Sequence, residues 1–166
     1  QNNRSQGIKV PNSPKHLPHT LSPDEAAKLM DFENTDVLRA RDRAIFELFY
    51  SSGLRLQELV QLKPNDIDFT EGHVRVVGKG EKTRIIPVGH YALEALRIWL
   101  KQREALIKLN SDALFVSSRG NQIHPRTVQL RLKIRAGQQR LQSNVHPHSL
   151  RHSFASHVLQ SSGDLR

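Results

Sequence analysis

The sequence contains no cysteine, one methionine, one tryptophan and only two tyrosines among its 166 residues. Without cysteine, the chain can form neither a disulfide framework nor a cysteine-based zinc site. No apolar run approaches the roughly 18 residues that a membrane span needs, and the polar N-terminal segment lacks the apolar core of a secretory signal. These absences predict a cytoplasmic protein that has no membrane partner.

Acidic residues are also scarce, because 16 Asp and Glu face 25 Lys and Arg, which gives a net charge of +9. A folded domain this basic usually meets a polyanion, and nucleic acid is the leading candidate. The alternative is a generally basic surface that has no such partner. Hydrophobic residues make up 37% of the chain, enough to build a core.

The first 20 residues differ in character from the rest of the chain. They show no hydrophobic periodicity, and their charged residues are all basic. We interpret residues 1–20 as an interdomain linker, which could lie along DNA or act only as a tether. Residues 21–166 are predicted to form the folded domain. The linker is marked by Pro11, Pro14 and Pro18 and by Arg4, Lys9 and Lys15.

The folded part is predicted to be α+β and mainly helical. Ser22 and Glu25 form a capping-box pattern around Pro23, and Gly53 is placed to end a second helix that covers roughly 36–51. Alternating residues in 73–77 and 83–87 flank a glycine-containing turn and predict a β-hairpin. Further helices are expected to start near Arg55, around 93–100, over about 125–140 and from Pro147 to about Ser161, with a buried extended segment at 113–116.

The last predicted helix carries a histidine and an arginine one turn apart. At about 100° per residue, His148 and Arg151 share one side, while Leu150 falls on the core side. The positive N-terminal end of a helix favours an anion, so this pair suits a phosphate. His148 and His152 also have a spacing that zinc can use, but no carboxylate lies nearby in the sequence, so no metal site is predicted.

Two other basic residues stand at the starts of structural elements. Arg55 follows the turn at Gly53, and Glu58 comes one helical turn later, so the two could form an ion pair. Lys79 lies between glycines at the hairpin turn, where a loop can reach into a groove. Taken singly, Arg55 could be a surface arginine and Lys79 a solvated turn lysine.

Together, three ordered motifs resemble the tyrosine site-specific recombinases of the lambda-integrase family. The resemblance covers about 21–166, and the stretch 153–166 is similar to the bacterial Xer recombinases. It implies the catalytic-domain fold of that family, which breaks and rejoins DNA and contains a small antiparallel sheet. The motifs are Gly53-Leu-Arg-Leu-Gln-Glu58, Val77-Gly-Lys-Gly80 with Lys82-Thr-Arg84 and Pro87, and His146-Pro-His-Ser-Leu-Arg-His-Ser-Phe-Ala155.

The resemblance implies a role for each matching residue. Arg55 corresponds to the first catalytic arginine, and Glu58 to an acidic residue that supports it. Lys79 corresponds to the hairpin lysine, a general acid for the 5′-hydroxyl leaving group. His148 and Arg151 correspond to the His-x-x-Arg pair. No metal or other cofactor is implied.

The family nucleophile, a tyrosine that forms a 3′-phosphotyrosyl link, has no match in the sequence. Tyr50 and Tyr91 precede the His-x-x-Arg motif and are expected to be core or surface aromatics. We therefore expect a truncated catalytic domain that lacks its C-terminal helices and is inactive alone. For the complete protein, the resemblance implies a duplex recombination site, a XerD-like partner in a heterotetramer and activation by a DNA translocase.

Three alternatives stay open at this point. An integron, phage or transposon integrase shares the motifs, and a type IB topoisomerase shares the chemistry of the pocket. A non-catalytic DNA-binding module could also keep the four basic residues without cleaving DNA.

Overall fold

A computed structural model describes residues 21–33, 36–78, 80, 82–107, 111–141, 147, 150 and 151. The predicted linker at 1–20 and the part of the last helix beyond Arg151 lie outside these residues. Within them, the regular structure consists of five α-helices, one short 3-10 helix (Pro64–Asp66) and one three-stranded sheet. None of the described helices is long and apolar enough to cross a membrane.

The first two helices begin where the sequence predicts, and the second also ends there. Helix α1 spans Pro23–Met30; Ser22 and Glu25 close a capping box with hydrogen bonds of 3.1 and 3.0 Å. Helix α2 spans Val37–Ser52, and the Asp36 side chain accepts a hydrogen bond from the Arg39 backbone N–H at its start. Gly53 ends α2 in the left-handed conformation, with φ of 66°, which a residue without Cβ adopts at low cost.

Helix α2 is the centre of the core and contacts α1, α4 and α5. Its side chains are buried on almost all sides, including Ala44, Ile45 and Phe49. A helix with so little exposed surface carries few solvent-facing charges, and the residue that follows it is held firmly. The turn at Gly53 is therefore anchored by the best-packed element of the domain.

The sheet has the order β1–β2–β3, with antiparallel neighbours. Strands β2 (His73–Val77) and β3 (Thr83–Pro87) form the predicted hairpin, and β3 ends at Pro87, which cannot donate to a further ladder bond. Val74 and Val76 face the core. The two-residue strand β1 (Ile67–Asp68) was not predicted, because two residues are too few to show a period.

Helix α4 (His90–Arg103) covers the buried segment 113–116. The fully buried Trp99 donates from Nε1 to the Leu114 carbonyl oxygen at 2.8 Å and stacks on Phe115. Arg103 donates from Nε and Nη2 to the Ala113 carbonyl oxygen at 3.0 and 2.7 Å. The extended segment belongs to no sheet and makes only an isolated bridge from Val116 to Gln122. The bonds from Trp99 and Arg103 therefore satisfy backbone oxygens that have no partner strand.

Helix α5 (Pro125–Gln138) is tied to α2 by charge. The buried carboxylate of Asp42 accepts hydrogen bonds from Arg41 on one oxygen and from Arg131 Nε at 2.7 Å on the other. Arg135 donates to the Asp31 carbonyl oxygen and lies over the ring of Phe32. With two of its arginines turned inward, α5 presents Arg126 and Lys133 on its exposed side.

Candidate phosphate-binding site

Arg55 stands at the first turn after α2. Leu54 is fully buried, so it fixes the chain between Gly53 and α3 (Leu56–Val60), and Arg55 is exposed beside it. Arg55 is the N-cap of α3 and has an extended backbone with φ of −77° and ψ of 153°. Its side chain makes no hydrogen bond or ion pair within the described part of the chain, which leaves the guanidinium available for an anion.

Arg151 approaches the same turn from the far end of the sequence. Its Nε donates to the Gly53 carbonyl oxygen at 2.7 Å, across 98 residues of sequence. Leu150 beside it is fully buried, as predicted, so the backbone that carries Arg151 is fixed in the core. The Nη groups of Arg151 have no partner among the described residues, and they keep up to four N–H donors for a ligand.

The structure thus brings Arg151 to the turn that leads into Arg55. The carbonyl that binds Arg151 belongs to Gly53, which lies two positions before Arg55. Two guanidiniums at one turn can donate to both non-bridging oxygens of a phosphate with fixed geometry and permanent charge. Lys79 and His148 lie outside the described residues, so their placement in this site stays a prediction.

Glu58 makes a different ion pair from the one that the sequence suggested. Its carboxylate accepts hydrogen bonds from Arg84 Nη1 at 2.8 Å and Arg84 Nη2 at 3.2 Å. Towards Arg55 it accepts only from the backbone N–H, at 3.0 Å. The possible Arg55–Glu58 side-chain pair is therefore wrong, because the fork of Arg84 occupies the carboxylate. Glu58 contacts Arg55 through the main chain instead.

The surroundings of Glu58 keep it ionised. Burial raises the pKa of its carboxyl, but the Arg84 hydrogen bonds, the Arg55 backbone N–H and the charges of both arginines together hold that pKa below its usual value. The hydrogen bonds that Arg84 donates to Glu58 likewise raise the pKa of Arg84. Both partners therefore carry full charge near neutral pH.

The hairpin that carries Lys79 is closed at its base. The Gly78 N–H donates to the Lys82 carbonyl oxygen at 2.8 Å. Gly80 has a φ of 77°, a conformation that residues with Cβ rarely adopt. The bond between Gly78 and Lys82 thus holds the adjoining ends of β2 and β3 together.

Arg84 is the residue of this region to which sequence reasoning gave no role. It lies on β3 opposite Val76, and its side chain reaches Glu58 on α3. The only signal in the sequence is a charged residue in a short apolar strand, Thr83-Arg84-Ile85-Ile86. That pattern predicts exposure on the solvent face and cannot show which carboxylate the arginine meets.

Both tyrosines have the environments that were expected. Tyr50 lies in α2 and is 8% exposed, so it belongs to the core. Tyr91 lies at the start of α4, is 47% exposed and meets the ring of His90 edge-on. Tyr50 is thus a core aromatic and Tyr91 a surface aromatic, two environments that the expectation allowed for either residue.

The fold defines a class of protein. The chain belongs to the phage integrase family, whose model matches residues 19–166. Its mainly helical fold with a small antiparallel sheet is that of the tyrosine-recombinase catalytic domain. The structure resembles the crystal structure of XerA recombinase with a TM-score of 0.83 and 34% identity, over 96% of this chain and 55% of that one.

Curated relatives point to one branch of the family. The chain is 51% identical to the tyrosine recombinase XerC of Pseudomonas savastanoi pv. phaseolicola over 167 residues, covering 100% of this chain and 55% of the relative. It is 46% identical to XerC of Shewanella sp. (strain ANA-3), over 99% of this chain and 54% of the relative.

A solved complex places the same fold on DNA. The chain matches XerH site-specific recombinase bound to difH substrate in a pre-cleavage complex, with a TM-score of 0.76 and 28% identity over 89% of this chain and 45% of that one. The chain spans about half the length of the curated relatives it matches. Similarity to a transposon integrase, at 18% identity, shows the shared fold alone.

Proposed function

We propose that this chain is the DNA-binding catalytic core of a site-specific tyrosine recombinase. The observation that carries the proposal is the bond from Arg151 Nε to the Gly53 carbonyl oxygen, which sets Arg151 beside the turn of Arg55. A phosphorane-like transition state gains charge on its non-bridging oxygens, and two fixed guanidiniums can stabilise that charge. They supply what a metal ion supplies in many nucleases.

The proposed reaction divides the remaining tasks among three groups. A tyrosyl hydroxyl from outside these 166 residues forms a bond to phosphorus, and the bond from phosphorus to the 5′ oxygen breaks. Lys79 gives its ammonium proton to the departing 5′ oxygen. His148 takes up the proton of the tyrosyl hydroxyl, or donates a hydrogen bond to the phosphate while that proton passes to water. The 3′-phosphotyrosyl link conserves the bond energy, so rejoining needs no ATP.

The identity to XerC supports a finer proposal about the complete protein. It would act on a duplex recombination site in the cytoplasm with a XerD-like partner in a heterotetramer. A DNA translocase would activate the complex, and the outcome would be resolution of chromosome dimers before cell division. The level of identity to XerC favours this proposal over an integron, phage or transposon integrase.

The DNA-binding part can be tested on the chain as it stands. The chain has a net charge of +9, and the exposed Arg126 and Lys133 of α5 should contact DNA phosphates. Each phosphate contact releases counterions from the DNA. An interface with about six phosphate contacts should therefore lose ~10³-fold in affinity between 50 and 200 mM salt. Fluorescence anisotropy with a labelled duplex measures this slope. A flat salt response would count against a phosphate-dominated interface.

The catalytic part needs a polypeptide that carries this chain at the full length of its relatives. With a nicked duplex, in which the cleaved end diffuses away, we expect a covalent protein–DNA adduct on a denaturing gel. Arg55→Ala and Arg151→Ala should abolish the adduct while the protein still binds DNA. If the full-length polypeptide binds its site and forms no adduct, the non-catalytic DNA-binding module is the correct interpretation.

A further inference from the structure

The Glu58–Arg84 pair joins two elements that the sequence keeps apart. Glu58 lies on α3 and Arg84 on β3, and two parallel hydrogen bonds of 2.8 and 3.2 Å connect them. The Glu58 side chain is 9% exposed and that of Arg84 is 40% exposed. A bidentate pair that is shielded on the carboxylate side fixes orientation as well as distance.

The same carboxylate also holds the turn of Arg55. Glu58 Oε1 accepts from the Arg55 backbone N–H at 3.0 Å and from Arg84 Nη2 at 3.2 Å. One oxygen atom therefore links the start of α3 to the second strand of the hairpin. A shift of β3 would pull directly on the residue that positions the Arg55 main chain.

Gly78 brings the hairpin backbone onto this pair. A Cβ at Gly78 would lie 3.2 Å from Arg84 Nη1 and 3.7 Å from Glu58 Oε2. Glycine allows this approach, because any larger residue would displace the arginine by a few tenths of an ångström. The next residue along the chain is Lys79, so the ion pair lies under the base of the turn that carries the proposed general acid.

We propose that Arg84 is a positioning residue for proton delivery from the hairpin. This inference rests on the proposed function of Lys79. The Glu58–Arg84 pair sets the base of the β2–β3 hairpin against the Arg55 turn. Lys79 and Arg55 can then reach the same phosphate at the same time. Arg84 itself touches neither the phosphate nor the leaving group.

The proposal predicts a defect confined to one chemical event. When the tyrosyl oxygen attacks phosphorus, the bond to the 5′ oxygen breaks, and that oxygen takes a proton from the Lys79 ammonium. If sulfur replaces the 5′ oxygen, the leaving group is a thiolate, which departs without a proton. A variant that only misplaces the general acid should regain its rate on the sulfur substrate, because stabilisation of the phosphate is intact.

The experiment compares four variants of the full-length polypeptide: Arg84→Ala, Lys79→Ala, Arg55→Ala and Arg75→Ala. Single-turnover cleavage is measured on nicked duplexes with a 5′ oxygen or a bridging 5′ sulfur. Arg75 is the matched control, because it lies on the partner strand β2 and pairs with Asp66 at 3.1 Å rather than with Glu58. Its replacement removes the same charge from the same hairpin.

We expect Arg84→Ala to lose about 10²-fold in cleavage rate on the oxygen substrate, the size of effect that a misplaced catalytic group causes. It should regain most of that loss on the sulfur substrate, as should Lys79→Ala. Arg55→Ala should stay slow on both substrates, and Arg75→Ala should match the unmodified protein on both.

The outcomes distinguish a failure of the Arg84 positioning role from a failure of the proposed function of Lys79. If Lys79→Ala is rescued by sulfur and Arg84→Ala is slow on both substrates or slow on neither, the positioning role is wrong while the proposed function stands. If Lys79→Ala is not rescued, the proposed general acid is wrong and the inference falls with it. Circular dichroism and a thermal melt check that Arg84→Ala is folded. Arg84→Lys keeps the charge and loses the guanidinium fork. Its cleavage rate on the oxygen substrate should lie between those of Arg84→Ala and the unmodified protein.

Discussion

Arg151 donates its Nε proton to the carbonyl oxygen of Gly53 at 2.7 Å, and this bond orients the rest of the guanidinium. An arginine held at Nε points its two Nη groups in a fixed direction, so a phosphate meets prearranged donors. The acceptor is a main-chain oxygen at the end of the most buried helix, and it cannot move away as a side chain can. The bond therefore couples the geometry of the site to the core.

This coupling predicts the effect of Arg151→Lys in a polypeptide that contains this chain and has the full length of its relatives. A lysine cannot bond to Gly53 and present a fork at the same time, so cleavage should fall by about 10²-fold or more. DNA affinity should change by less than about tenfold, because the charge is kept. Arg97→Lys on α4 is the control. Equal losses in cleavage and binding would contradict the transition-state role.

Gly53→Ala should destabilise the domain. The φ of 66° at this position costs an L-residue about 1–2 kcal/mol, and denaturant titration should show a loss of that size. Gly137→Ala is the opposite case, because an added Cβ in α5 meets no heavy atom within 4 Å. It should stabilise by at most about 1 kcal/mol, the preference of a helix interior for alanine over glycine, because position 137 lies in the last turn of α5. The same sign for both variants would show that backbone conformation does not decide these effects.

Asp42→Ala should be strongly destabilising. It leaves Arg41, whose side chain is 3% exposed, without its carboxylate, and it also frees Arg131. Breaking a buried pair from one side typically costs ~3–5 kcal/mol. Asp112→Ala removes an exposed partner of Lys63 and should cost less than about 1 kcal/mol. Urea unfolding of the three proteins measures the difference, and equal costs would show that burial of Asp42 is unimportant.

The lowered pKa of Glu58 gives a prediction about pH. A carboxyl whose pKa is lower in the folded state contributes stability above its unfolded pKa, and loses it as the pH falls through the folded value. The difference in free energy of unfolding between the unmodified chain and Glu58→Gln should therefore be constant near neutral pH and shrink below roughly pH 4.3. Urea titrations across this range measure it.

The control for that experiment is the Arg84→Ala background. Arg84 supplies the hydrogen bonds and a charge that lower the pKa of Glu58. Without them, the Glu58→Gln difference should vary much less with pH. An unchanged pH dependence in this background would assign the effect to another group.

Local rules predicted most of the elements. Ser22, Asp36 and Gly53 act at helix ends through bonds to the nearest backbone, which the sequence itself specifies. The hairpin followed from alternation and glycine. The strand Ile67–Asp68 was missed, because it exists only through pairing with β2.

The site was harder to predict. The proximity of Arg151 to the Arg55 turn was expected only from the family resemblance, since no periodicity joins positions 98 residues apart. The partner of Glu58 was wrong because spacing on a helix shows Arg55 within reach and says nothing about Arg84 on another element. Glu58 pairs with Arg84 because the sheet places Arg84 next to α3.

The single tryptophan gives the molecule a built-in optical reporter. Trp99 is fully buried, with its indole N–H bonded to Leu114 and its ring against Phe115. Its emission should shift to longer wavelength only when α4 separates from the segment 113–116, which dismantles the core. The unfolding experiments above can therefore be followed by intrinsic fluorescence in the unlabelled protein, with no second indole to confuse the signal.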